Sequence, residues 1–139
     1  MIDLSHSKTE RMATMKTLVI TYKKDFELIC KAILESGHEI RKSDIHFVSD
    51  YDEMRSSLAE REYELVIVIQ NGAAGMETCM CAKRMCPKIH VFWYSDDAHF
   101  GPQSYRIGCT YFATEPVTAE KLRKAFDRVR MEKELRYEG

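Results

Sequence analysis

Residues 64–78 read ELVIVIQNGAAGMET, and this stretch decides the fold. Leu65 to Ile69 is an unbroken apolar run, largely β-branched, without the polar alternation of a strand that faces water on one side. Such a run suits the central strand of a parallel sheet covered by helices on both faces. Small residues follow, so Asn71–Gly75 predicts a loop, then a helix through Met85 that Pro87 ends.

Strands and helices alternate on either side of this centre. Thr17 to Thr21 predicts a first strand, and Phe26, Ile29, Cys30, Ile33 and Leu34 then fall on the apolar stripe of a helix that Ser36-Gly37 closes. Ile45 to Ser49 predicts the second strand, and a helix from about Asp52 to Arg61 turns Met54 and Leu58 inward. Beyond Pro87, Ile89 to Tyr94 reads as the fourth strand. Gly101-Pro102 opens a short helix that Gly108 stops, and Thr110 to Ala113 is the fifth strand. Thr118 caps a long last helix whose inward stripe is Leu122, Ala125, Phe126 and Val129. The pattern predicts an α/β fold, a three-layer, doubly wound, five-stranded parallel sheet. Residues 1–14 are polar and patternless and read as a flexible tail; residues 15–130 form the domain; 131–139, where the apolar stripe runs out, read as a projecting end of the last helix.

Composition narrows the function. The 139 residues, 45% of them hydrophobic, suffice for one core and give no reason for a second domain. With 21 Lys+Arg against 22 Asp+Glu the formal charge is -1, so direct nucleic-acid binding through a global basic field is not expected. No apolar run approaches the roughly 20 residues of a membrane span, and the amino terminus lacks the apolar stretch of a signal peptide. A cytoplasmic location with no membrane partner is the expectation, and the odd count of five cysteines fits reduced thiols. Cys79, Cys81 and Cys86 suggest a metal at first sight. On a helix, however, Cys79 and Cys81 point about 200° apart, so neither a metal nor another cofactor is expected.

In a doubly wound sheet, ligands gather at the carboxyl ends of the strands. Here those ends are Tyr22-Lys23, Ile69-Gln70, Tyr94-Ser95 and Thr114-Glu115-Pro116. The stretches ELVIVIQNGAAGME, IHVFWYSDD and IGCTYFATEPVTAEKL, in this order and spacing, resemble the receiver domain of two-component response regulators over roughly Met15 to Arg130, a flavodoxin-like fold of βα repeats. The resemblance implies an acidic, magnesium-holding pair at Tyr22 and Lys23, a phosphoacceptor aspartate at Ile69 or Gln70, a hydroxyl at Ser95, a lysine at Glu115, a switch aromatic at Phe112 and a cis peptide before Pro116. Only the hydroxyl, the aromatic and the proline match. Without the nucleophile and the metal-holding carboxylates, covalent phosphoryl transfer is not expected. Lys23 and Glu115 exchange the expected signs, which suggests an ion pair across the pocket or, equally, two solvated side chains.

The function implied is that of a degenerate receiver, not an enzyme, acting as a phosphorylation-independent protein-interaction module in bacterial signal transduction or transcription regulation. Its partner would be a protein or an output domain. The face built by helix four, strand five and helix five would include Tyr105, Arg106, Tyr111, Lys121, Lys124 and Arg128, and by family analogy could join two copies. One alternative is an active receiver in a phosphorelay that uses an unrecognised acceptor such as Ser95 or Asp96; a weaker one is a small-anion binder using the Asn71–Gly75 loop. Carboxylates at Asp50, Asp52, Glu53, Asp96 and Asp97 read as helix caps. Met76, Met80 and Met85 read as core filling, as do Trp93 and Tyr94, while His46 and His90 receive no role.

Overall fold

The chain is described here by a computed structural model covering residues 15–37 and 40–138, with side chains to Leu135; the tail expected over 1–14 lies outside the described residues. Five parallel strands, β1 (Thr17–Ile20), β2 (Ile45–Val48), β3 (Leu65–Ile69), β4 (His90–Ser95) and β5 (Tyr111–Thr114), stand in the order β2-β1-β3-β4-β5. Five helices connect and follow them: α1 (Phe26–Glu35), α2 (Tyr51–Glu60), α3 (Gly72–Met85), α4 (Gly101–Ile107) and α5 (Ala119–Glu138). The order reverses direction between β1 and β3, the switch point at which such sheets open a crevice.

The period of two along each strand sorts the side chains onto two faces. Val19, Leu65, Ile67, Ile69, Phe92 and Tyr94 pack with Ile29, Cys30 and Ile33 of α1 and with Leu122, Ala125, Phe126 and Val129 of α5. Leu18, Ile20, Val66, Val68, Val91 and Trp93 pack on the opposite face with Met54, Leu58, Cys79, Cys81 and Ala82. All five residues of β3 are buried, as the uniform apolar run at 65–69 predicts. Its register with β1 (Ile20 beside Val68) and β4 (Ile69 beside Tyr94) brings three strand ends to one level.

Several expectations are corrected by packing. Asn71–Gly75 is no loop, because Gly72, with φ of +53°, turns the chain at once and α3 begins there. Leu34 is 43% exposed at the rim of a groove beside Phe26 and Phe47, since α1 packs through a narrower stripe than its sequence offers. Met80 and Met85 are exposed rather than core, and Met76 is half-buried, because α3 spends its buried positions on Gly75, Thr78, Cys79, Cys81 and Ala82. Cys79 and Cys81, though on different sides of α3, are both buried because that helix is flanked by α2 on one side and α4 on the other. Burial, followed by the neighbouring Cys109, pushes the Cys79 thiol well above its ordinary pKa.

Two caps form as the sequence indicates. The Asp50 carboxylate accepts from the Glu53 amide at 2.8 Å, and the Thr118 hydroxyl accepts from the Lys121 amide at 3.2 Å. The last helix runs on to Glu138 with Met131 and Leu135 exposed, while the Glu132 carboxylate lies 3.4 Å from the buried His90 ring.

Candidate functional site

The carboxyl ends of β1, β3, β4 and β5 meet at the crevice, and each contributes the residues singled out in the sequence. After β3, Gln70 is one of the two residues at the implied acceptor position. Its Oε1 accepts a 2.5 Å bond from the Thr78 hydroxyl in the second turn of α3, and its carbonyl oxygen accepts a 2.9 Å bond from the Trp93 indole. Ile69, the other choice for the acceptor position, is buried in the α1/α5 layer. Gly75 makes the approach of α3 to this strand end feasible, since a Cβ there would strike the Gln70 carbonyl and the Trp93 indole nitrogen.

Ser95 ends β4 fully buried. Its hydroxyl oxygen accepts from the amides of Gly72 at 3.3 Å and Asp97 at 3.2 Å, and its carbonyl accepts from the Glu115 amide at 2.9 Å. Asn71 sends its Oδ1 across to the Asp96 amide at 3.0 Å instead of capping its own helix. The supposed anion cradle therefore has two of its amides engaged internally, Gly72 by Ser95 and Gly75 by the Asn71 carbonyl at 3.2 Å. Phe112 packs edge-on against Trp93 at 5.2 Å between ring centroids, and Phe100 covers the same indole at 5.6 Å. Trp93 and Tyr94 are both buried; burial drives the Tyr94 phenol far above its ordinary pKa.

The charge arrangement differs from the swapped pair suggested by the sequence. After β1 the chain enters a single 3-10 turn, Lys23–Asp25, with Tyr22, Lys23 and Lys24 exposed and the Lys24 ammonium 5.8 Å from the Tyr22 ring centre. Among the described residues no ion pair joins Lys23 to Glu115. Glu115 instead feels carboxylates: burial first, then Asp96 and Asp25, raise its pKa above the ordinary glutamate value. The 3-10 turn was not legible in the sequence, and it is what brings Asp25 within range of the pocket. Even so, no group of three His, Cys, Asp or Glu side chains among the described residues is arranged to hold a metal ion.

The Glu115-Pro116 peptide is cis, and the β5 end it creates is closed by a residue with a different expected place. Lys121 turns its ammonium inward to the carbonyls of Thr114 at 2.6 Å and Pro116 at 3.0 Å, rather than standing on the outer face. Strand-end carbonyls left without ladder partners attract such a cation. Tyr111 is half-buried against Phe92 and Tyr94, so the outer face is carried by Tyr105, Arg106, Lys124 and Arg128, all exposed. Asp97 acts as a cap, accepting from the amide of His99 at 2.9 Å and lying 2.8 Å from its ring; the amide, then the ring, holds the carboxyl below its ordinary pKa. His46, bonded to the Tyr63 hydroxyl at 2.7 Å, and His90, bonded to Thr110 at 3.0 Å, lie at the opposite ends of the strands. Clefts of about 760 and 680 Å³ open there, lined in part by His46, Arg61 and Tyr63 and by Met15, Leu58 and His90. They are remote from the strand ends at which the resemblance places chemistry.

No family model matches the sequence, and no curated protein matches it either. The fold, by contrast, is widely shared. It matches a CheY-like response regulator receiver domain protein from Methanospirillum hungatei with a TM-score of 0.65 at 14% identity, covering 90% of this chain and 99% of that one. A receiver domain protein from Clostridium thermocellum matches with a TM-score of 0.67 at 20% identity, over 86% and 97% of the two chains. NtrX from Brucella abortus matches with a TM-score of 0.68 at 21% identity; 88% of this chain is covered, but only 28% of NtrX. The chain thus has the fold of CheY-like response-regulator receiver domains, a five-stranded parallel sheet of flavodoxin type with helices on both faces.

Proposed function

We propose that this chain is a degenerate receiver that works as a protein-interaction module in bacterial signalling or transcription control, without phosphoryl transfer of its own. What supports the reading is the end of β3: whichever of Ile69 and Gln70 takes the implied acceptor position, neither carries a carboxylate, and Gln70 is engaged by Thr78 and, through its backbone, by Trp93. A carboxamide is neither the nucleophile nor the metal ligand that acyl phosphate formation requires. The oxygen of the nearby hydroxyl is also engaged, since Ser95 accepts from two backbone amides. The chemistry left to the domain is recognition, with a protein or an output domain as partner. The exposed residues Tyr105, Arg106, Lys124 and Arg128 supply a face for it, or for a second copy.

Incubation with acetyl phosphate and magnesium should leave the purified protein unlabelled, and beryllofluoride with magnesium should leave the amide signals of Ser95 and Phe112 unmoved. Stoichiometric phosphate that is labile in both acid and base would reverse the reading in favour of an active receiver. Asp96, exposed and bonded through its amide to Asn71, would then be the first acceptor to substitute.

A further inference from the structure

Two loops at the carboxyl edge of the sheet each satisfy a backbone group of the other. Asn71 stands at the N-cap of α3, a position from which asparagine ordinarily bonds its own helix, yet it makes no such bond. Its Oδ1 reaches the Asp96 amide at 3.0 Å, while the Gly72 amide of α3 is taken by Ser95 of β4 at 3.3 Å. The same Ser95 oxygen accepts from Asp97 at 3.2 Å, and the Asp97 carboxylate caps the turn Ala98–Phe100 that leads into α4. Phe100 then lies edge-on to Trp93, whose indole donates to the carbonyl of Gln70, the residue before Asn71. The contacts form a closed circuit from the end of β3 across to β4, out to the start of α4, and back.

We propose that Asn71 and Ser95 form a latch that holds the β4–α4 connection, and with it α4 and Phe112, in one position. The inference rests on the reading of the domain as an interaction module, and it states how that module is regulated: its outer face is fixed rather than switched. The physical ground is the cost of opening the circuit. Ser95 is fully buried, so moving it away strips two partly buried amides, those of Gly72 and Asp97, of their acceptor at once, and each such lost bond has a cost. Trp93 lies edge-on to the half-buried Phe112, and the first turn of α4 at Gly101 lies close to its ring. Trp93 itself cannot turn without giving up its bond to Gln70 and meeting Gly75, where the packing already excludes a methyl group. A fixed face suits a partner that binds the domain in a single form.

The test compares the wild-type chain with Asn71→Ala, Ser95→Ala and the double variant, all without phosphate donors. In wild type, relaxation dispersion should show no microsecond-to-millisecond exchange at residues 98–107 or at Phe112. Each variant should speed amide hydrogen exchange over residues 98–107 about tenfold, the amount one lost hydrogen bond predicts, while β1 and β3 amides change by less than about twofold. Dispersion should then appear at Phe112, and the emission of Trp93, the sole tryptophan, should shift to the red. Exchange already present in wild-type α4, unchanged α4 protection in both single variants, or an equal loss of protection across the whole sheet would overturn the latch. Should Ser95→Ala fail to fold, Asn71→Ala decides, since Asn71 is exposed. Labelling by acetyl phosphate together with a motionless α4 would overturn the interaction reading while leaving the latch standing, so the two failures are separable.

Discussion

At Gly75 the first turn of α3 runs so close to the end of β3 that a Cβ would meet the Gln70 carbonyl and the Trp93 indole nitrogen. Gly75→Ala must either shift the helix or break the indole bond, and should cost about 1–3 kcal/mol, the usual penalty of overpacking. A urea titration followed by Trp93 fluorescence measures this, and an unchanged midpoint would refute the packing argument. Glu115 carries a pH dependence of defined sign. Its carboxyl lies above the ordinary value through burial and through Asp96 and Asp25, so the folded state holds that proton more tightly than the unfolded one. Stability from this group is therefore greatest below the unfolded carboxylate pKa and falls as pH rises through the folded one. Glu115→Gln should stabilise by a few tenths of a kcal/mol at about pH 7, a small gain because the site is open to solvent, and the gain should vanish near about pH 3. Thermal unfolding of both proteins at the two pH values checks the sign. The sequence located Gln70, Ser95 and Glu115 at strand ends, since each follows an apolar run. Their bonding was not legible there, because Thr78, Trp93, Asp25 and Asp96 reach them through the fold and not along the chain.

At the scale of elements, α5 depends on a cap and on an apolar stripe, both read directly from local sequence. Thr118→Ala should lower stability by about 1 kcal/mol by freeing the Lys121 amide, and circular dichroism during denaturation would register it. Lys121→Ala acts elsewhere on the same helix: it leaves the Thr114 and Pro116 carbonyls without their ammonium partner. Its effect should therefore appear as faster amide exchange around β5 more than as lost helicity. The stripes of α1 and α3 show why periodicity has limits. Leu34 of α1 and Met80 and Met85 of α3 have apolar side chains at plausible spacing, yet all three are exposed. Spacing specifies which residues share a side of a helix; how much of that side is covered depends on the neighbours. For α3 those neighbours are α2 and α4, which bury Cys79 and Cys81 on different sides and leave the methionines at the surface. Likewise the run of small residues at 71–75 signals a break in regular structure, and only the left-handed Gly72 determines that the break is a tight turn straight into a helix.

For the whole molecule, the face bearing Tyr105, Arg106, Lys124 and Arg128 is the one through which a second copy would bind if the chain pairs as the resemblance suggests. Light scattering at micromolar concentration should then give twice the chain mass of 16.2 kDa, and Arg128→Glu should reduce it toward the monomer; a monomeric wild type would leave that face to a different partner. The order β2-β1-β3-β4-β5 was within reach of sequence reasoning, because five strands alternating with helices and connected by short segments fold into few arrangements. Sequence alone determined the doubly wound five-stranded parallel sheet, the buried centre at Leu65–Ile69, the caps at Asp50 and Thr118, and the absence of an aspartate from Ile69-Gln70. All of these are set by residue type and local spacing. Tertiary structure alone decided that Lys23 stays in solvent while Asp25 and Asp96 act on Glu115, that Lys121 turns inward, and that Asn71 and Ser95 join two loops. These are contacts between residues far apart in the chain or separated by a turn, so their partners and charges become defined only once the strands have set the loops side by side.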